Sequence, residues 1–231
     1  MKTAVVTGAS SGIGAATARA LATDGWHVIV AARRTDLLTK LAESIGGEAI
    51  TLDVTDEESV RHLAERLDSV DLLVNNAGGA KGLDSVADAN IDDWTWMYET
   101  NVLGTVRVTK ALLPKLASGA QIVNVGSIAG ITPYVGGAGY NAAKFGVAAL
   151  TRVLRLETLD RPLRVCEINP GRVKTDFSLI RFKGDKERAD AVYAGHQNLV
   201  ADDIAEAIRW VASLPAHVNI DRLVIKPADQ G

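Results

Sequence analysis

The chain has 231 residues, 47% hydrophobic and 23% charged, with a formal net charge of −3. That profile fits one soluble globular domain and excludes a disordered or fibrous chain. The slightly acidic total, with no lysine or arginine block, argues against nucleic acid as the main partner.

The first element is the short apolar strand TAVVT (3–7), which ends at a glycine. A chain that enters a strand at once, with no basic region followed by a hydrophobic stretch, is expected to be cytoplasmic. An alanine-rich helix over 12–24 follows, then a turn at Asp24-Gly25 and a second buried strand, HVIVAA (27–32). DLLTKLAESIGG predicts a short helix with a glycine stop, and EAITLDV a third strand. DEESVRHLAERLDS predicts an amphipathic helix capped by Thr55, and VDLLVNNAG a fourth strand. A long helix is expected over 91–117, a strand at AQIVNVGS, a second long helix over 138–159 and a strand at LRVCEINPG. An irregular polar segment (171–198), a helix (201–213) and the strand DRLVIK complete the chain. The weakly polar run IVNVGSIAGITPYVGGAG is broken by glycines and a proline, so no membrane helix and no membrane partner is expected. The lone cysteine, Cys166, permits no intrachain disulfide and reads as a small buried strand residue.

Strands alternating with helices predict an α/β fold: one doubly wound, mostly parallel sheet with helices on both faces, spanning 1–231 as a single domain. Ligands of such sheets bind beyond the carboxyl ends of the strands. The informative residues sit there. TGASSGIG (7–14) joins the first strand to the first helix, and Gly8, Gly12 and Gly14 permit a tight turn whose backbone N–H groups, with the helix N-terminus, attract an anion. GYNAAKFG (139–146) places Tyr140 and Lys144 one helical turn apart on one face.

The spacing T-G-x-x-x-G-x-G, the NNAG at 75–78, Ser127 after the fifth strand and Tyr140-x-x-x-Lys144 together resemble the short-chain dehydrogenases/reductases over the whole chain. The resemblance implies a Rossmann-type sheet of seven strands in the order 3-2-1-4-5-6-7 and an NADP- or NAD-dependent oxidoreductase. The second strand ends VAARR, with Ala32 where an NAD-binding carboxylate is expected, followed by Arg33 and Arg34. An alanine removes repulsion from a 2′-phosphate and a guanidinium grips it, which favours NADP(H); Ser10 and Ser11 add hydroxyl donors. Arg33 is the stronger candidate, with Arg34 expected to point away. Asp53 either accepts from the adenine amino group, with the Val54 backbone alongside, or helps cap the next helix. By resemblance Ile13, Asn75, Ala77 and Gly78 complete the cofactor site, Asn75 in a bracing role, and Pro170, Gly171, Val173 and Thr175 meet the nicotinamide side.

The resemblance also assigns the chemistry. Tyr140 is the general acid in reduction and base in oxidation, with its pKa lowered by Lys144, which also holds the nicotinamide ribose. Ser127 orients the substrate oxygen, and Asn101 anchors a water that completes a proton relay through Lys144. The segment 170–198 is expected to form a substrate lid. With LPAHVNIDRLVIKP it resembles the NADP-dependent 3-hydroxy acid, serine and allo-threonine dehydrogenases. Arg181, Lys183 and Arg172 are candidate carboxylate partners. The alternatives are a reductase of a bulkier ketone, with Tyr134, Tyr193 and Phe177 as an apolar wall, and an NADPH-sensing regulatory protein. The apolar faces of the two long helices imply a homodimer or homotetramer. No metal site is expected.

Overall fold

A computed structural model describes residues 1–231. The elements in chain order are β1 (Thr3–Thr7), α1 (Gly12–Thr23), β2 (His27–Ala32), α2 (Thr35–Ile45), β3 (Glu48–Thr51), α3 (Glu57–Glu65) and β4 (Val70–Asn75). They continue with α4 (Ile91–Tyr98), α5 (Gly104–Leu112), β5 (Leu116–Val125), α6 (Ala138–Glu157), β6 (Arg164–Pro170), α7 (Phe177–Arg181), α8 (Lys186–Ala191), α9 (Ala201–Ser213) and β7 (Arg222–Ile225). The strands form one seven-stranded sheet in the order β3-β2-β1-β4-β5-β6-β7, and every pairing is parallel. This is the doubly wound sheet that the alternation predicts, in the Rossmann-type order that the resemblance implies. No helix is long and apolar enough to cross a membrane.

Each central strand is apolar on both faces because helices cover both. On one face Val6, Val28, Val30, Val74, Val123 and Ile168 pack against α1, α2 and α9. On the other, Val5, Ile29, Leu73, Ile122 and Val165 pack against α3, α5 and α6. Level with the carboxyl ends of β4 and β5 this second face turns polar. Asn75, Asn124, Glu167 and Arg222 stand side by side in register across four strands. Asn75 Nδ2 donates to Asn124 Oδ1 at 2.9 Å and to Thr109 Oγ1 of α5 at 3.0 Å, and Asn124 Nδ2 donates to Thr151 Oγ1 of α6 at 2.9 Å. Hydrogen bonds replace apolar contact here, so the two helices dock in one register only.

Four features differ from the sequence expectation. The long helix predicted over 91–117 is interrupted: a π-helical turn, Glu99–Leu103, separates α4 from α5, and Pro114 sits in a single 3-10 turn before β5. The π turn follows from packing. Asn101 reaches out to the backbone of Gly79 and Met97, and the Thr105 hydroxyl donates to the freed Asn101 carbonyl at 2.7 Å. The cap of α3 is Asp56, whose side chain accepts from Glu58 N, not Thr55, which donates instead to Asp53. The strand expected at 120–127 starts earlier, at Leu116. The segment expected to be irregular carries the short helices α7 and α8.

Ile208 of α9 is fully buried between α1 and the sheet. Replacing it by alanine is expected to lower unfolding free energy by about 2–5 kcal/mol. Urea denaturation checks this, and a loss below about 1 kcal/mol would contradict the packing described.

Candidate active site

The cleft opens where β1, β4, β5 and β6 end. Gly8 has φ +64°, and a Cβ there would lie 2.8 Å from the Ala77 Cα, so this position needs glycine. Gly14 faces a different constraint: a Cβ would lie 2.6 Å from the Gly8 carbonyl oxygen. The loop therefore folds back tightly and aims the N-terminus of α1 into the cleft. That N-terminus has no side-chain cap and no acidic residue in its first turn. Its backbone donors remain available to an anion.

Of the paired arginines, Arg34 rather than Arg33 faces the glycine loop. Its Nη2 donates to Ser10 Oγ at 2.9 Å and Ser11 Oγ at 2.5 Å, and its Nε donates to Ser10 Oγ at 3.1 Å. The expectation that Arg34 points away is thus corrected. The chain turns at the end of β2, so successive residues face opposite ways, and Arg33 lies toward Asp53. Asp53 Oδ1 accepts from both the N and Oγ1 of Thr55. Burial works to raise its carboxyl, but those hydrogen bonds and Arg33 hold it below the usual range. The Val54 side chain is buried in the core against α3 and α5. Asn75 is buried in the sheet as a brace and does not line the cleft. Its neighbour Asn76 does, donating through Nδ2 to the Thr7 and Gly8 carbonyls.

Ser127, Tyr140 and Lys144 converge on one wall, with Ala77, Gly78, Pro170, Gly171, Val173 and Thr175 around them. Ser127 caps a 3-10 turn: its Oγ accepts from Ala129 N at 3.1 Å, which leaves the hydroxyl hydrogen free to donate. Lys144 Nζ donates to the Val125 carbonyl at 2.9 Å and lies 5.8 Å from the centre of the Tyr140 ring. Burial raises the Tyr140 pKa above its ordinary value, while the Ser127 hydroxyl and the Arg181 guanidinium pull it back. Lys144 does not figure among these effects on Tyr140, and the Val125 carbonyl takes one of its three N–H donors without neutralising its charge. Burial pushes Lys144 itself down to about 8, with Glu167 acting in the opposite direction. Asn101 is buried behind Gly78 and Gly79, with Nδ2 and Oδ1 both hydrogen-bonded to protein backbone.

The three candidate cations differ. Lys183 pairs with Asp93 at 2.8 Å and Arg172 with Asp229 at 2.7 Å, so each already has a counter-charge. Arg181 has no carboxylate partner. Its Nε donates to the Gly82 carbonyl and an Nη to the Tyr134 hydroxyl, each at 2.9 Å. Those bonds hold its guanidinium 5.8 Å from the centre of the Tyr140 ring, inside the cleft.

The cleft fits an extended anionic dinucleotide. The uncapped helix end and glycine turn suit a pyrophosphate, and the Arg34–Ser10–Ser11 cluster lies at the β2 end. Because Arg34 donates into both hydroxyl oxygens, each hydroxyl hydrogen is left to donate outward. Sequence reading missed Asn76, and also Gly126 and Asn169. Asn169 Oδ1 accepts from Ser127 N at 3.0 Å, and Gly126 lets it come close. Only the doubled Asn in NNAG and the Gly before Ser127 hinted at them.

A family model described as short chain dehydrogenase matches residues 2–184. An oxidoreductase of Mycobacterium tuberculosis described as uncharacterised is 61% identical over 99% of this chain and 92% of its own length. The NADP-dependent 3-hydroxy acid dehydrogenase of Schizosaccharomyces pombe is 42% identical over 100% of this chain and 94% of its own. Among solved structures, the closed form of a serine dehydrogenase complexed with NADP+ superposes with a TM-score of 0.96 at 37% identity, covering 99% of this chain and 96% of that one. The match of sheet order, glycine loop and family model places this chain in the short-chain dehydrogenase family of nicotinamide-dependent oxidoreductases.

Proposed function

We propose that the protein is an NADP(H)-dependent dehydrogenase that interconverts a small 3-hydroxy acid and its carbonyl form. The observation that carries this reading is Arg181, a guanidinium without a carboxylate partner, fixed above Tyr140. A substrate anchored there by its carboxylate presents a hydroxyl a few bonds away to Tyr140 and Ser127. Bound NADP(H) supplies the hydride donor or acceptor. The NADP-linked relatives and the Arg34–Ser10–Ser11 cluster support the 2′-phosphorylated cofactor.

In this reading Tyr140 gives its phenolic proton to the substrate oxygen in reduction and takes it back in oxidation. Ser127 donates its free hydroxyl hydrogen to the same oxygen, where negative charge develops. Lys144, as an ammonium, supports charge on the phenolate and binds ribose; Asn101 holds the α4–α5 kink against Gly79 and anchors the proton path. Gly8, Gly12, Ile13 and Gly14 take the pyrophosphate. Asp53 and Val54 flank the adenine, and Ala77, Gly78, Pro170, Gly171, Val173 and Thr175 flank the nicotinamide end. Segment 170–198 acts as the lid. The reading as a reductase of a bulkier ketone is weaker, because the Tyr134 and Tyr193 hydroxyls are tied to Arg181 and Ser178 and do not present a purely apolar wall. Exposed Tyr98, Phe145, Val153 and Leu156 on α4 and α6 support a homo-oligomer built on those helices.

Initial rates with purified protein are expected to show NADP+-dependent oxidation of serine, 3-hydroxypropionate or 3-hydroxyisobutyrate. Arg181→Leu is expected to raise KM for these acids at least ~10-fold, with little change for an uncharged alcohol. Reduction of bulky neutral ketones alone would overturn the substrate assignment. Arg34→Ala is expected to raise KM for NADP+ ~10-fold or more and leave KM for NAD+ nearly unchanged; equal loss with both cofactors would show that Arg34 does not read the phosphate. The pH dependence has a defined sign. Lys144 is an ammonium below about 8 and neutral above it, so kcat for reduction is expected to hold below that pH and fall above it.

A further inference from the structure

Behind the catalytic wall lies a buried charge that the chemistry above does not use. Glu167, on β6, is 1% exposed. Its Oε2 accepts from Arg222 Nε on β7 at 2.9 Å, while Oε1 is buried with no hydrogen-bond partner. Two residues on, fully buried Asn169 accepts from Ser127 N. Both side chains press on Gly126, where a Cβ would clash with Asn169 Oδ1 and lie 2.9 Å from Glu167 Oε1. Gly126 separates Val125, whose carbonyl takes Lys144 Nζ, from Ser127. The free carboxylate oxygen of Glu167 therefore abuts Gly126, in the turn that carries the Val125 carbonyl and Ser127.

We propose that Glu167 is a positioning residue that, through the Val125–Gly126–Ser127 turn, supplies the counter-charge keeping Lys144 an ammonium, with Arg222 setting how much of that charge Lys144 feels. A buried ammonium held only by one carbonyl is poorly compensated, because the carbonyl contributes a dipole and no charge. The groups around Lys144 are few: the Tyr140 phenol on its own helix, the buried amide of Asn101 from the kink, and Glu167 from β6. Glu167 in turn pairs with Arg222, while the neighbouring Cys166 points to the other face of the sheet, where burial pushes its thiol up to about 12 and keeps it neutral. Glu167 is the only carboxylate in that set, and it favours the charged form of Lys144. Arg222 is partly exposed and competes for the same carboxylate.

This inference rests on the role proposed for Lys144, so the test reads Lys144 directly as well as through turnover. Protein labelled with [ε-13C]lysine is titrated by NMR, with the Lys144 resonance assigned by its loss in K144R. E167Q is expected to lower the Lys144 midpoint by about one unit, and the high-pH fall in kcat should move down with it. R222Q, which frees the carboxylate from its competitor, is expected to move both upward; E167D, which keeps the charge, should stay near the parent. Unchanged midpoints, or downward shifts in both E167Q and R222Q, would overturn the proposal and mark Glu167 as a structural ion-pair partner. Opposite shifts of the midpoint with no matching shift in kcat would uphold the coupling and defeat the assigned role of Lys144.

Discussion

The hydrogen bond from Lys144 Nζ to the Val125 carbonyl fixes the relation on which the site depends. It ties the first turns of α6 to the carboxyl end of β5. Asn141, on the same helix, donates to the Ala129 carbonyl at 2.7 Å and adds a second tie to the turn after Ser127. A Cβ at Gly130 would lie 2.7 Å from the Lys144 carbonyl oxygen, so helix and turn meet backbone to backbone. Tyr140 and Ser127 belong to different elements, and these contacts set their mutual position. The polar row from Asn75 to Glu167 supports the arrangement from below, since its hydrogen bonds admit one docking of α5 and α6 where apolar contacts would admit several.

Charge is distributed with similar economy. Lys183 and Arg172 line or border the lid but are answered by Asp93 and Asp229. Arg181 is answered by neutral acceptors and remains a full positive charge in the cleft. One such charge suits a singly anionic substrate better than a doubly charged one, because a second negative charge would be desolvated without a partner. On the far side of the glycine loop Arg34 is likewise held in place by hydroxyls that do not neutralise it.

The strands and most helix positions were legible in the sequence because each element carries its own period and its own stop, whereas the strand order came only from the resemblance to a known family. The glycine loop and Ser127 were legible because they follow strand ends, where an α/β sheet binds its ligands, and Tyr140 and Lys144 because of their spacing on one helix and the family resemblance. What was hidden depends on contacts distant in sequence. The π turn at Asn101 exists because Gly79 lies beside it, and no local propensity signals that. Adjacent asparagines at the end of β4 must face opposite ways, yet the sequence does not say which enters the cleft. The same holds for Arg33 and Arg34. Glu167 is an acid in an apolar strand; only the pairing of β6 with β7 supplies its partner Arg222, and only the fold brings its carboxylate up to the turn after Val125.

In the proposed mechanism this constellation moves a proton to and from a substrate oxygen through Tyr140. Its most direct test is a single-turnover measurement on Tyr140→Phe, with NADP+ prebound and a 3-hydroxy acid added, alongside cofactor affinity by fluorescence titration. The variant keeps the ring packed at 5.5 Å against Phe177 and loses only the ionisable oxygen. The hydride-transfer rate is expected to fall about 100-fold or more, with cofactor affinity nearly unchanged. A rate within a few fold of the parent would contradict the mechanism, and the proton would then have to travel by another group.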